Sequence, residues 1–225
     1  MAWKDWIRTV EVEPSLYAAN FAVLGEQIEA LCRAGCRIFH FDVGDGHFVE
    51  PITMGPIVLQ SISELIHRYD GVIDCHLMVD NPTRHFPQLA AAGADSATFH
   101  YEAVDDVGAT IAVAREHGLE VGVAFKPESE PEAVAAAAKG ADFVLCMAIE
   151  PGYSGQPFRP ETFDRVARLR AALPDDVYIQ VDGGVGPANI RQLYAAGVCL
   201  LVAGSSIFDR EDLPRAYRRL VQTLV

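Results

Sequence analysis

The chain has 225 residues, half of them hydrophobic, and a formal net charge of −13. That composition supplies one sizeable core, no apolar run reaches the ~18 residues needed to span a bilayer, and the start, MAWKDWIRTV, lacks the apolar stretch of a secretion signal. The acidic balance, with no Lys/Arg cluster, excludes a nucleic-acid binder that works through a basic face; the expectation is a cytoplasmic protein that handles a small molecule, with no nucleic acid and no membrane among its partners.

The first predicted strand covers Thr9–Leu16 and carries Glu13 and Ser15. Asn20 then caps a helix whose apolar positions Phe21, Leu24, Ile28 and Leu31 follow amphipathic spacing, and Gly35 ends it. The next run, IFHFDVGDGHFVEP, is the most informative in the chain. Strand side chains alternate faces, so Ile38, His40, Asp42 and Gly44 point one way and Phe39, Phe41 and Val43 the other. Further strands are predicted at Val72–Val79, Ser96–His100, Glu120–Phe125, Phe143–Met147, Val177–Val181 and Cys199–Val202. Helical segments lie between them, among them Thr83–Ala92, Val107–His117, Glu130–Lys139, Pro160–Ala172 and Pro187–Ala196, with a last helix over Leu213–Val225. The arginines 165, 168 and 170, and 215, 218 and 219, fall on these helices and read as solvated faces. Five cysteines, Cys32, Cys36, Cys75, Cys146 and Cys199, are an odd number set in mostly apolar runs, so they read as buried thiols rather than a disulfide framework. Cys32 and Cys36 have no second Cys/His pair beside them to make a zinc site.

Eight strand–helix units with short, apolar strands in one uninterrupted chain predict a single TIM-barrel domain over residues 1–225, a closed (β/α)8 barrel. An open doubly wound sheet would require fewer strands and a Gly-rich nucleotide turn after the first strand, which is absent. In such a barrel, chemistry sits where strands end. The polar residues there are Ser15, His40, Asp42, His76 and Asp182, and Met78 shares the face of His76. Two imidazoles and two carboxylates, His40, Asp42, His76 and Asp182, make a plausible set for one divalent ion: Zn, Fe(II), Mn or Co. Two glycine-bearing turns follow the last two strands, Asp182-Gly183-Gly184-Val185-Gly186 and Ala203-Gly204-Ser205-Ser206. Backbone N–H groups in such turns can hold a phosphate without any positive field. The loop after the sixth strand, with Gly152, Tyr153, Ser154 and Gly155, is long enough to fold over a ligand.

Seven stretches resemble the ribulose-phosphate 3-epimerase family: PSLYAANFAVLGEQ (14–27), FHFDVGDGHFVEP (39–51), DCHLMVDNP (74–82), VAFKPE (123–128), MAIEPGYSGQPF (147–158), VDGGVGPANI (181–190) and VAGSSIF (202–208). They run in the family's order over nearly the whole chain. The resemblance implies a ribulose-phosphate-binding type of TIM barrel that epimerises D-ribulose 5-phosphate to D-xylulose 5-phosphate through a metal-stabilised enediolate. It implies His40, Asp42, His76 and Asp182 as metal ligands, and Asp42 and Asp182 as the catalytic acid/base pair. Ser15 and His76 would contact the sugar. Gly152, Tyr153, Ser154, Gly155, Asp182, Gly183, Gly184, Gly204 and Ser205 would line the substrate and its phosphate, and Met78 and Met147 would cap the pocket. It also implies a homo-oligomer.

The chain departs from the family at Gly44, where a third cap methionine is usual, at Tyr17 in place of an aliphatic residue, at Glu13 in place of a small one, and at Ser154 in place of glycine. Two readings of the first pair follow: Tyr17 refills the space left at Gly44, or the pocket is reshaped for another ketose phosphate such as D-allulose 6-phosphate. Glu13 is expected to reach Lys126 across the barrel. The competing class, a non-catalytic barrel that only binds a sugar phosphate, would not need both aspartates.

Overall fold

The computed structural model describes residue 7 and residues 9–224. Eight strands appear in the predicted order: β1 Glu11–Pro14, β2 Ile38–Gly44, β3 Val72–Met78, β4 Ser96–His100, β5 Glu120–Phe125, β6 Phe143–Met147, β7 Tyr178–Asp182 and β8 Leu200–Ala203. All neighbours pair in parallel, in the order β1-β8-β7-β6-β5-β4-β3-β2. A single bridge between Ser15 and His40 closes the seam between β1 and β2. The result is a (β/α)8 barrel, with helices packed on the outside of the parallel strands.

Strand alternation divides the residues as the β2 pattern predicts. Phe39, Phe41, Val43, Leu77, Phe99, Val123 and Val181 face outward into the core shared with the helices. Ile38, Phe143 and Leu200 fill the lower end of the interior, and Ala124, Leu145, Met147 and Ile149 fill part of its upper end. Between these apolar patches lies a polar layer: Glu13, His40, Asp74, Ser96, Thr98 and Gln180 are all fully buried.

The element boundaries differ in a few places. β1 is shorter than Thr9–Leu16 because the chain turns after Ser15 into a 3-10 turn, Leu16–Ala18. Asn20 caps as expected, its side chain accepting from the Ala22 N–H, but a 3-10 turn over Phe21–Val23 precedes the α-helix Leu24–Arg33. The Thr83–Ala92 segment breaks into a turn, Pro82–Arg84, and a helix, Phe86–Ala91, because prolines at 82 and 87 supply no N–H to a continuous ladder. Pro56–Arg68 forms the helix between β2 and β3. A short helix, Ser205–Phe208, follows β8 and was not foreseen. The last helix runs Leu213–Leu224; Val225, its predicted end, lies outside the described residues.

Two of the arginines bond backbone carbonyls rather than forming a free solvated face. Arg165 is buried, donates to the carbonyls of Met147 (2.7 Å) and Lys126 (2.8 Å), and lies over the Phe125 ring. Its two terminal nitrogens satisfy strand-end carbonyls that apolar side chains could not. Arg170 donates to the Val177 carbonyl at 2.8 Å. Arg168 pairs with Glu130 and Glu132 at the surface, and Arg215, Arg218 and Arg219 are exposed, as expected. All five cysteines are free and four are buried. Among the described residues no helix is long and apolar enough to cross a membrane.

Candidate active site

The upper ends of β2, β3 and β7 bring His40, Asp42, His76 and Asp182 together inside the barrel. Register explains the meeting: Asp42 lies beside His76 on the neighbouring strand, and Asp182 ends β7 at the same height as Met147. One donor atom from each of the four lies within 4.8 Å of every other. Asp42 Oδ1 is 3.3 Å from His40 Nε2 and 3.2 Å from His76 Nδ1. Asp182 Oδ2 is 4.0 Å and 3.9 Å from the same two nitrogens. Ligands held at about 2.1 Å around a tetrahedral ion stand about 3.4 Å apart, so these separations suit one shared cation.

The donor chemistry fits as well. His40 Nε2 is fully buried and has no hydrogen-bond partner, although leaving a buried polar atom unpaired costs on the order of 1–3 kcal/mol. The atom points at two carboxylates that together call for positive charge. Its other nitrogen, Nδ1, meets Asp74 Oδ2 at 3.0 Å. A metal ligand oriented by a carboxylate on its opposite nitrogen is a common construction.

The two aspartates titrate in opposite directions. Burial pushes the Asp182 carboxyl up to about 6, with the Asp42 charge adding to it. Burial works on Asp42 in the same sense, but the charge of His40 beside it and the nearby His76 imidazole outweigh it and hold Asp42 well below the usual carboxylate range. The Ser15 hydroxyl also donates to Asp42 Oδ2 at 2.7 Å. For His40, burial opposes the charged form, yet Asp42 and Asp74 overcome it and raise its pKa. Proton and metal ion would compete for the same Nε2. Environments that push two carboxyls apart in this way suit one to be a base and the other an acid.

A buried polar layer lies beneath. Asp74 Oδ1 accepts from Ser96 (2.8 Å) and Thr98 (3.1 Å), and its Oδ2 accepts from Gln180 (2.8 Å). Gln180 also donates to Glu13 at 2.6 Å. Burial, and the charge of Asp74, push the Glu13 carboxyl well up. Glu13 therefore belongs to the barrel floor and does not reach Lys126, whose Nζ sits 4.0 Å over the Phe48 ring. On the other side His76 Nε2 meets His100 Nε2 at 2.9 Å, and His100 Nδ1 meets Glu102 at 3.2 Å.

Above this floor opens a cleft. Its lining includes Ser15, Asp42, Met78, Met147, Asp182, the loop residues Gly152, Tyr153, Ser154 and Gly155, and the turn residues Gly183, Gly184, Gly204 and Ser205. Every residue expected to touch metal, substrate or the methionine cap thus lies in the cleft wall, apart from His40 and His76, which are fully buried in its floor. Glycine is required in the β7 turn: Gly183 has φ +112°, and a Cβ there would fall 2.4 Å from Ile149 Cγ1. Ser206 Oγ donates to the Val185 carbonyl at 2.8 Å and ties the two glycine turns together. Tyr153 donates to Glu50 at 2.9 Å and joins the β6 loop to the β2 loop across the mouth.

Tyr17 does not refill the space at Gly44. A Cβ on Gly44 would meet the Pro51 carbonyl at 2.9 Å, Thr53 at 3.1 Å and Val49 at 3.1 Å. The β2 loop has folded back over that position, and Tyr17 lines the cleft wall instead.

Asp74, His100, Glu102 and Gln180 were not singled out in the sequence. Glu102 lies in the turn after β4, where no strand parity marks it; for the other three the signal was parity. Asp74 stands two residues before His76, Gln180 two before Asp182, and His100 closes β4 as Asp182 closes β7, so all share the inward face.

The sequence profile described as the ribulose-phosphate 3 epimerase family matches residues 11–208. A ribulose-phosphate 3-epimerase of Escherichia coli strain K12 is 37% identical over 216 residues, covering 95% of this chain and 93% of that protein. One of Bacillus subtilis strain 168 is 34% identical over 211 residues, covering 92% and 96%. Among solved structures, a 3-hexulose-6-phosphate synthase from Salmonella typhimurium superposes with a TM-score of 0.72 at 18% identity, covering 95% of this chain and 98% of that one. That similarity concerns the fold.

Proposed function

The chain belongs to the ribulose-phosphate 3-epimerase family, and from that membership we propose that it is a one-domain epimerase inverting C3 of D-ribulose 5-phosphate to give D-xylulose 5-phosphate. The observation that carries this reading is the meeting of Asp42 and Asp182, from strands separated by β1 and β8, at the floor of a cleft rimmed by two glycine turns. Inversion at a carbon beside a ketone needs a base and an acid placed around that carbon.

His40, Asp42, His76 and Asp182 would hold one divalent ion, which when bound supplies Lewis-acid stabilisation of the negative charge that develops as C3 loses its proton. The chain's own residues do the rest. Asp42, kept as a carboxylate by the two imidazoles and oriented by Ser15, takes the C3 proton. The electron pair of the broken C–H bond moves toward the C2 carbonyl and leaves an enediolate. Asp182, whose carboxyl keeps its proton to higher pH, returns a proton to C3 from the other face. The turnover leaves Asp42 protonated and Asp182 ionised until exchange with solvent resets them, and the reverse reaction exchanges their roles. Met78 and Met147 give the reacting carbons a dry, polarisable cover. The turns at Gly183, Gly184, Gly204 and Ser205 and the loop from Gly152 to Gly155 surround the phosphate with backbone N–H groups, which suits an acidic protein that offers no basic cluster.

Tyr17 lines the cleft wall, and D-allulose 6-phosphate is the alternative substrate. The test is deuterium incorporation at C3 of D-ribulose 5-phosphate in D2O, followed by NMR with protein loaded with each candidate metal. Incorporation with appearance of xylulose 5-phosphate supports the reading. Exchange only with the six-carbon substrate would replace the substrate, and no exchange with either, on protein that binds metal, would leave a sugar-phosphate-binding barrel.

A further inference from the structure

We propose that His100 and Glu102 are positioning residues for His76: they lock its imidazole into the tautomer whose bare Nδ1 faces the four-residue centre, and they tie that lock to the loop after β5. The proposal rests on the reading of His40, Asp42, His76 and Asp182 as a metal centre.

Proton placement follows from the geometry. His76 Nε2 and His100 Nε2 are 2.9 Å apart, and two imidazole nitrogens bond only if one carries hydrogen and the other does not. His76 Nδ1 faces Asp42 Oδ1 at 3.2 Å and Asp182 Oδ2 at 3.9 Å. To ligate, it must be bare, so the His76 hydrogen sits on Nε2. His100 Nε2 then accepts, and the His100 hydrogen sits on Nδ1, where Glu102 Oε2 lies 3.2 Å away. The second Glu102 oxygen accepts from the Lys126 N–H at 2.8 Å and from the Ser129 hydroxyl. The carboxylate is thus fixed by the loop after β5, and it can accept but cannot donate.

His100 cannot turn to another partner. It is fully buried, stacks on His76 with ring centres 5.1 Å apart, and packs against Phe48 at 4.8 Å. On the other imidazole, Asp74 does the same task directly, taking the His40 Nδ1 hydrogen at 3.0 Å. Both imidazoles of the centre are therefore backed by a carboxylate, one at first hand and one through an intervening histidine. Such backing partners commonly change metal affinity by about 10–100-fold.

The experiment measures Zn2+ affinity by competition with a chromophoric chelator, together with imidazole 15N shifts in histidine-labelled protein, for wild type, His100→Phe, His100→Gln, Glu102→Gln and Asp182→Asn. His100→Phe keeps a ring and removes the acceptor. It is expected to weaken Zn2+ binding by about 10–100-fold. His100→Gln, whose carbonyl can accept, should recover part of the loss. Glu102→Gln, which keeps the shape, should weaken binding and broaden the His76 tautomer population. Wild-type His76 should carry its hydrogen on Nε2. If Asp182→Asn loses affinity while His100→Phe and Glu102→Gln stay within twofold of wild type, the backing role falls and the metal centre stands. If wild type binds no more tightly than Asp182→Asn, both readings fall. Should His100→Phe not fold, Glu102→Gln and the wild-type 15N shifts decide the question.

Discussion

The floor and the roof of the cleft are built on different principles. The floor consists of strand residues at fixed height: His40, Asp42, His76 and Asp182 above Asp74, Gln180 and Glu13, all but Asp182 buried below a tenth exposure. Each is held by partners from other strands. The roof consists of loops, with Tyr153 half-exposed and joined to Glu50 by one surface hydrogen bond. A barrel can therefore place reacting groups rigidly while leaving substrate enclosure to segments that move and vary. Changes in the floor should cost turnover or folding, and changes in the roof should cost affinity.

The largest expected effect is on turnover. Asp42→Asn removes the proposed base while keeping its shape and should lower kcat by about 10^2–10^4, with KM little changed, as measured by a coupled epimerase assay. A loss confined to KM would break the assignment of chemistry to the floor. Next comes Asp74→Ala, which leaves His40, Ser96, Thr98 and Gln180 without their shared acceptor. Removing one partner of such a buried charged network costs about 3–5 kcal/mol, read as a shift in the denaturant midpoint. Asp74→Asn should cost less.

A third prediction concerns acid. Burial would raise the Glu102 carboxyl, but hydrogen bonds from His100, Ser129 and the Lys126 N–H dominate and depress it from 4.5 to about 2. A depressed folded pKa means stability that is present above about pH 4.5 and lost as the pH falls toward 2. The stability advantage of wild type over Glu102→Gln should be constant above about pH 5 and shrink below 4.5; an advantage that grew on acidification would contradict the depression. The smallest effect is expected in the roof. Tyr153→Phe removes one exposed hydrogen bond, worth about 1 kcal/mol or less, so KM should rise by less than about fivefold with kcat unchanged. A larger loss in kcat would mean that roof and floor are not separable.

Local sequence pattern was sufficient for much of the barrel. β4, β5 and β6 fall where Val, Ile, Leu and Phe cluster between turn residues, and alternation along Ile38–Gly44 correctly separates His40 and Asp42 from Phe39 and Phe41. The four candidate ligands were legible for the same reason: each is a polar residue on the inward parity of an apolar strand. The boundaries moved where a side chain or a proline redirected the backbone, as at Ser15 and in the segment from Pro82 to Ala91.

What the sequence by itself determined is thus the alternation of strands and helices, the inward face of each strand, and the polar residues at the upper rim, because all of these depend on neighbours two to four residues away. Only the tertiary structure decided that Asp74 meets His40, that His100 meets His76, that Glu13 bonds Gln180 rather than Lys126, that Arg165 is buried, and that the β2 loop, not Tyr17, fills the space at Gly44. The physical reason is closure. Contacts across a barrel depend on the stagger of eight strands and on how loops fold back over their ends, and residues 34 or 167 positions apart carry no local periodicity that would announce their meeting.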